Sequence, residues 1–237
     1  MRIVLTRPQD DSERTAAALR AHGHEVLIAP LLRIETVPVD LRQRYGAVVI
    51  TSANAAAAIA GHPACATLSA LALFAVGKRS GDAARAVGFT NIHVAGGDIE
   101  DLTRLIAEQR PDARAPLLYL AGEDRSGDLV GDLAVHGIAA ELVVIYRAVP
   151  QPFPAELTAA LQSGAADAVM HFSKRSAAQY VTGAHDAGIT EKALQIRHFC
   201  LSAQIAEPLR DAGATRIVVA KRPDESAMVA LIDQAAA

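Results

Sequence analysis

The 237-residue chain repeats itself, loosely, at half its length. Phe74-Ala75-Val76, a helical pattern ending at Val87-Gly88 and the run Ile92-His93-Val94-Ala95 return as Phe199-Cys200-Leu201, Ala212-Gly213 and Ile217-Val218-Val219-Ala220. The spacing is 125 residues throughout, without a gap. Val48-Val49-Ile50-Thr51-Ser52 returns less strictly as Val169-Met170-His171-Phe172-Ser173. The opening strand, helix and His22-Gly23 reappear before His136-Gly137. Such a chain reads as two similar units, each of about 110–120 residues and able to bury a core. A cleft between two such units is a favoured place for a small ligand.

The apolar runs are strand-length. They lie at 2–6, 26–29, 45–50, 71–76, 92–95, 117–120, 140–145, 168–172, 199–201 and 217–220. Helical patterns separate them. One is capped by Asp10, Asp11 or Ser12 and stops at Gly23; one, almost pure alanine, starts at Ser52 and Asn54; another covers 126–135. Unbroken apolar strands, each followed by a helix, predict an α/β fold in which each unit is a parallel sheet flanked by helices. Residues 109–116 read as the seam between repeats, and 146–154, with three prolines, as a linker.

Composition excludes several classes. A net charge of −3 gives no pull towards nucleic acid, and four tyrosines, five phenylalanines and no tryptophan make no stacking platform for bases. No apolar run approaches the ~20 residues of a membrane helix, and the start is too short for a signal peptide. Cys65 and Cys200 fall in different repeats, so a reduced, cytoplasmic chain is expected. Gly77-Lys78 lacks the upstream glycine and following Ser or Thr of a phosphate-binding P-loop. The eight histidines show no metal-ligand spacing, and neither a G-x-G-x-x-G nor a G-x-S-x-G motif occurs where it would be needed. No metal is expected.

The polar residues that follow strands form one set. They are Thr6-Arg7-Pro8, Thr51-Ser52-Ala53-Asn54, Gly77-Lys78-Arg79-Ser80, Gly122-Glu123-Asp124-Arg125, Ser173-Lys174-Arg175-Ser176 and Ser202-Ala203-Gln204. Ligands of parallel sheets bind beyond the carboxyl ends of strands, and helix N-termini there attract anions. Taken singly, Ser52, Ser80, Ser173 and Ser202 read first as N-caps worth about 1 kcal/mol each; six such loops at equivalent positions make a shared ligand the competing reading. Gly96-Gly97-Asp98 with Asp101 reads as a turn and a helix cap. Tyr146, at the end of an apolar strand, should face the cleft, where its phenol could donate to a leaving oxygen. An ordinary half-buried tyrosine at a domain rim is the competing reading.

In this order, the motifs resemble those of the uroporphyrinogen-III synthase family. The matching pieces are Leu5-Thr6-Arg7-Pro8, Pro30, Thr51-Ser52-Ala53-Asn54-Ala55, Ala75-Val76-Gly77, Leu118-Tyr119-Leu120 with Gly122, Val144-Ile145-Tyr146, Phe172-Ser173 and Cys200-Leu201-Ser202 to Gly213. The resemblance implies two similar α/β domains joined by two extended linkers with a cleft between them. Residues 1–33 and 150–237 would form one, discontinuous domain and 38–146 the other, with linkers at 34–37 and 147–149.

It also implies a cyclising hydro-lyase of porphyrin biosynthesis that uses no cofactor. Linear hydroxymethylbilane loses its hydroxyl as water and closes to uroporphyrinogen III with the last pyrrole ring inverted. The partner would be this small-molecule substrate alone, handed over by the preceding pathway enzyme to a monomer. Tyr146 would be catalytic. Arg7, Ser52, Asn54, Gly77, Lys78, Ser80, Tyr119, Gly122, Arg125, Ser173, Ser176 and Ser202 would bind substrate. Departures from the family pattern, Ala121 in place of Arg, Gln204 near an expected Thr, and the more basic Lys78-Arg79 and Lys174-Arg175, bear on the carboxylate contacts. The alternative is a non-catalytic tetrapyrrole or anion sensor of the same fold, releasing only the uninverted product of spontaneous closure.

Overall fold

The central strands are apolar almost throughout, His171 apart, and not alternating, because helices cover both of their faces. In the computed structural model, which describes residues 1–41, 43–109, 111, 114–125 and 127–236, every residue of Ala47–Ile50, Leu117–Gly122 and Ala168–His171 is buried. The chain divides into two compact units: unit 1 is Met1–Arg33 with Val149–Ala237, and unit 2 is Ile34–Ala148.

Unit 1 opens with β1 (Arg2–Leu5), α1 (Gln9–Ala21) and β2 (Glu25–Ile28). The strand β3 (Leu32–Thr36) leads into unit 2. There follow β4 (Ala47–Ile50), α2 (Ala53–Ala60), α3 (Cys65–Leu68), β5 (Ala72–Ala75), α4 (Lys78–Ala86) and β6 (Ile92–Val94). After α5 (Ile99–Gln109), β7 (Leu117–Gly122) and α6 (Leu129–Val135), the long β8 (Ala140–Pro150) leads back. Unit 1 resumes with α7 (Ala155–Gln162), β9 (Ala168–His171), α8 (Lys174–Asp186), α9 (Thr190–Gln195) and β10 (Arg197–Cys200). It ends with α10 (Glu207–Asp211), β11 (Ile217–Val219) and α11 (Glu225–Ala236).

The unit 1 sheet has the order β11-β10-β9-β1-β2, all parallel. The unit 2 sheet has the order β3-β8-β7-β4-β5-β6, parallel from β8 to β6. β3 runs antiparallel to β8: Val37 N–H donates to the Ile145 carbonyl while Glu35 meets Arg147, so partner numbers rise as the others fall.

The sequence repeat is a repeat of register. Ala47 pairs with Leu117 and Ala72, as Ala168 pairs with Ile3 and Arg197. Leu73 pairs with Ile92 as His198 pairs with Ile217, both members 125 residues on. Leu117 pairs with Ala140 as Ile3 pairs with Val26, both members 114 residues back. Unit 1 is therefore unit 2 with its chain order permuted: the strands that end unit 2 (β7, β8) match those that open the chain (β1, β2). Even the helix ends agree. Gly23 and Gly137 each follow a histidine C-cap with φ of 81° and 72°, a conformation in which a side chain would be strained.

Alternation of side chains sends Ile3 and Leu5 to one face of the unit 1 sheet, against Leu19, Met228 and Ile232. Val4 points to the other face, with Leu157, Tyr180 and Leu209. Burying each such side chain is worth about 1.5–3 kcal/mol. In unit 2, Val48 and Ile50 join Ile59, Leu73 and Phe89, while Val49 and Phe74 join Leu102, Ile106 and Leu133.

Several expectations change. The N-cap residue of α1 is Pro8, with no side-chain capping bond, and not Asp10, Asp11 or Ser12; the Ser12 hydroxyl donates to the Arg7 carbonyl instead. Proline suits this place because its missing N–H costs nothing at a helix start. The helix expected from residue 126 begins at Leu129, with the Asp128 carboxylate accepting from Gly131 N–H; Ser126 lies outside the described residues. The supposed seam at 109–116 lies inside unit 2, between α5 and β7. Much of the supposed linker at 146–154 is strand, since β8 continues to Pro150.

Candidate active site

In unit 2 the chain steps from β4 outward through β5 to β6, then returns to the other side of β4 as β7. Helix N-termini diverge at such a reversal and leave a crevice beyond the carboxyl ends of the strands. A cavity of about 660 Å³ lies there, lined by Thr51, Ser52, Tyr119, Gly122, Arg125 and Tyr146 among others. A second, of about 310 Å³, shares Thr51, Ser52, Val76 and Gly97 with it and extends to Gly77, Lys78 and Ser80. A larger hollow between α5 and α6 has none of these residues in its wall and lies away from the strand ends.

Tyr146 owes its place to a bulge. Ala121 pairs with Val144 but Gly122 pairs with Tyr146, which leaves Ile145 as an extra residue, fully buried. Bulges re-aim the side chain that follows them. Here the phenol ring lies across Gly122: a Cβ at that position would stand 2.6 Å from Tyr146 Cζ and 2.8 Å from its hydroxyl oxygen. Only glycine leaves the ring in this position. The Tyr146 carbonyl accepts from Glu123 N–H at 3.0 Å, which fixes the backbone on the same side.

Thr51, just past β4, and Tyr119, within β7, bring their hydroxyls within 3.0 Å of each other. Tyr119 is almost wholly buried, yet its ring end lines the larger cavity. The Ser52 hydroxyl accepts from Asn54 N–H at 3.2 Å and so caps α2. The N-cap of α4 is Gly77, which has no side chain to offer, so the first amides of that helix keep no side-chain partner. Ser80 sits in that first turn, 5% exposed, and lines the smaller cavity without a hydrogen bond from its hydroxyl among the described residues. It is therefore not the cap that its position suggested. Lys78 and Arg79 are exposed beside it. Two helix N-termini and a lysine around one hollow favour anions. Arg125, also exposed, curls back to donate to the Glu123 carbonyl at 3.1 Å.

The remaining site residues belong to unit 1. Arg7 is turned onto its own unit: it meets Asp11, Thr15 and Glu225, and its guanidinium stacks 4.1 Å from the centre of the Phe172 ring. Ser173 caps α8, accepting from Ser176 N–H at 3.1 Å and donating to the Ser176 hydroxyl at 2.9 Å. Ser202 lies in a turn, and the next helix starts only at Glu207. The loop at Ser202 is thus no helix N-terminus. Residues the sequence reading left out of the site are Thr51, Val76, Gly97, Asp98, Ile99 and Asp124. Asp98 caps α5 as expected, accepting from Asp101 N–H at 2.8 Å, and also lines the larger cavity. Among the described residues no group of three or more potential metal ligands occurs.

The model of the uroporphyrinogen-III synthase HemD family matches residues 13–230. The chain belongs to that family. Its activity is the family's, that of a hydro-lyase in porphyrin biosynthesis. No curated protein matches it significantly. Among solved structures it is similar to uroporphyrinogen-III synthetase from Helicobacter pylori 26695, at 17% identity over 99% of this chain and 100% of that one, with a TM-score of 0.69. It is also similar to a mutant uroporphyrinogen III synthase from the extremely thermophilic bacterium Thermus thermophilus, at 20% identity over 100% and 98% of the two chains, with a TM-score of 0.56. At these identities the two structures support the two-sheet α/β fold that the family shares. Among the described residues no helix is long and apolar enough to cross a membrane.

Proposed function

We propose that the strand ends of unit 2 hold the reacting end of linear hydroxymethylbilane, with Tyr146 as general acid. The phenol donates its proton to the departing hydroxyl, which leaves as water while the pyrrole nitrogen supplies the electron pair that forms the azafulvene. The substituted carbon of the last pyrrole attacks this electrophile to give a spiro intermediate. That intermediate fragments and recloses with the ring inverted, and loss of a ring proton restores aromaticity. The observation that carries this reading is the Ile145 bulge, which lays the phenol across Gly122 at the rim of the cavity.

The substrate's acetate and propionate arms need anion sites. The N-termini of α2 and α4, with Ser52, Gly77, Lys78 and Ser80, offer one in unit 2, and Arg125 borders it. In unit 1 the start of α8, with Ser173 and Ser176, offers another, and Arg7 and Ser202 lie on loops after neighbouring strands. Asn54 contributes its amide to the start of α2. Tyr119, hydrogen-bonded to Thr51, lines the same cavity as Tyr146. Holding one folded geometry is the larger part of the task, because the substrate also closes unaided to the uninverted isomer.

A monomer suffices in this reading, since the proposed acid and the anion site beside it come from one unit of one chain. The unpaired Cys65 and Cys200 suit the reducing cytoplasm, where the preceding enzyme would supply the substrate. The test is to incubate purified protein with freshly made hydroxymethylbilane, oxidise the products and separate the porphyrin isomers. Type III product formed faster than spontaneous closure is expected. Type I product alone, at the unaided rate, would leave a sensor in place of an enzyme.

A further inference from the structure

The two units act as controls for each other at the helix pair beside each sheet. In unit 1, α1 and α11 are tied by two polar bridges. His22 and His24 both hydrogen-bond the Asp233 carboxylate at 2.9 Å, and Glu225 meets Arg7 and Thr15. The counterparts in unit 2 are α6 and α5. Helix caps fix the alignment of α5 with α11: Asp98 accepts from Asp101 N–H as Asp224 accepts from Ala227 N–H. Ala107 then stands where unit 1 has Asp233, and Ile99 where it has Glu225. The strand register and the shared histidine C-cap align α6 with α1, so His136 matches His22. Ile138, Leu129 and Ala121 replace His24, Thr15 and Arg7. Apart from His136, every member of both bridges has become apolar.

What remains in unit 2 is a hollow of about 1050 Å³ between α5 and α6. Ile99 and Ala107 line it, and Val135, 85% exposed, stands at its edge. Its charged residues do not cancel. Arg104 is engaged by Asp101, whereas Glu100, Glu108 and Asp132 make no ion pair among the described residues. An apolar groove with an uncompensated acidic rim is costly to leave bare and selects its occupant by charge.

We infer that the α5–α6 hollow docks a basic amphipathic helix of a partner protein. Its apolar stripe would cover Ile99, Ala107 and Val135, and its lysines or arginines would meet Glu100, Glu108 and Asp132. Laying a helix face into a groove is a recurring mode of recognition, and a helix about 10 Å across suits a hollow between two others. A second copy of this chain is the wrong occupant for the same face, because it would bring the same three carboxylates. The surface is distinct from the Tyr146 cavity, with which it shares only Ile99.

A fluorescein-labelled leucine–lysine peptide of about eighteen residues, five helical turns, provides the probe. Anisotropy titration with the full chain should give saturable binding. Glu108→Lys should weaken it about tenfold, and so should Ala107→Lys, which sets a cation in the apolar floor against the peptide's own lysines. Both variants should unfold within about 3 °C of wild type, since one exposed and one half-buried surface position of α5 are altered. A leucine–glutamate peptide of the same pattern should not bind. No saturable binding of the lysine peptide, equal binding of the glutamate peptide, or unchanged affinity in both variants would each overturn the inference.

Discussion

Replacing Gly122 with alanine would put a methyl carbon 2.6 Å from Tyr146 Cζ, whereas carbon atoms rest about 3.5–4.0 Å apart. The ring would have to retreat by about 1 Å. It borders a cavity of about 660 Å³, so it has room to do so, and stability should fall by only about 1 kcal/mol, the low end for overpacking. Catalysis should suffer more. Displacing a reacting group by about 1 Å can cost ~10²-fold, so type III formation should fall towards that factor while the unfolding midpoint moves little. A double-mutant cycle isolates the cause. In a Tyr146→Phe background the methyl still shifts the ring but has no hydroxyl to misplace, so Gly122→Ala should then cost less than about threefold. Initial rates of type III porphyrin formation supply all four corners. Full activity in Gly122→Ala, or an undiminished loss in the phenylalanine background, would refute the reasoning.

Three further outcomes concern unit 1. His171 Nε2 and His198 Nδ1 lie 3.2 Å apart with both rings wholly buried, and burial lowers His198 from 6.5 to about 4 and His171 in the same direction. Between about pH 6.5 and 4 the unfolded chain binds more protons than the folded one, so stability should fall as pH drops through that window, by about 3 kcal/mol from His198 alone. Urea midpoints that stay level from pH 7 to 4.5 would contradict this. Ser173→Ala should cost about 1 kcal/mol through the lost cap of α8, measured by urea titration. Gly183→Ala drives a methyl into the Phe153 ring, and the strain of about 1–3 kcal/mol should outweigh alanine's helix preference of about 1 kcal/mol, lowering the midpoint.

The strands were the legible part of this fold. Four-residue runs such as Ala47–Ile50 are buried on both faces, and the 125-residue repeat marks β5 with β10 and β6 with β11, reproduced pair by pair in the sheets. The permutation is not visible in periodicity, because a strand–helix–strand segment reads alike at either end of a domain; it came only with the family resemblance. Loops were partly legible. Ser52 and Ser173 cap helices, but Ser202 and Arg125 precede no immediate helix, since a small polar residue after a strand suits a turn as well as a cap. The bulge was hidden. Val143-Val144-Ile145 is an unbroken apolar run whether or not one residue drops out of the ladder, so nothing in it marks Gly122 as the seat of the Tyr146 ring. Nor does the sequence pair Thr51 with Tyr119, which meet only because β4 and β7 are neighbours.

The role of the Tyr146 hydroxyl carries most of this account, and removing that one oxygen tests it. In Tyr146→Phe the rate of type III porphyrinogen formation from hydroxymethylbilane should drop about 10²-fold, with the unaided type I isomer taking its place among the products. A variant that forms type III product at the wild-type rate would show that the leaving hydroxyl draws its proton from elsewhere.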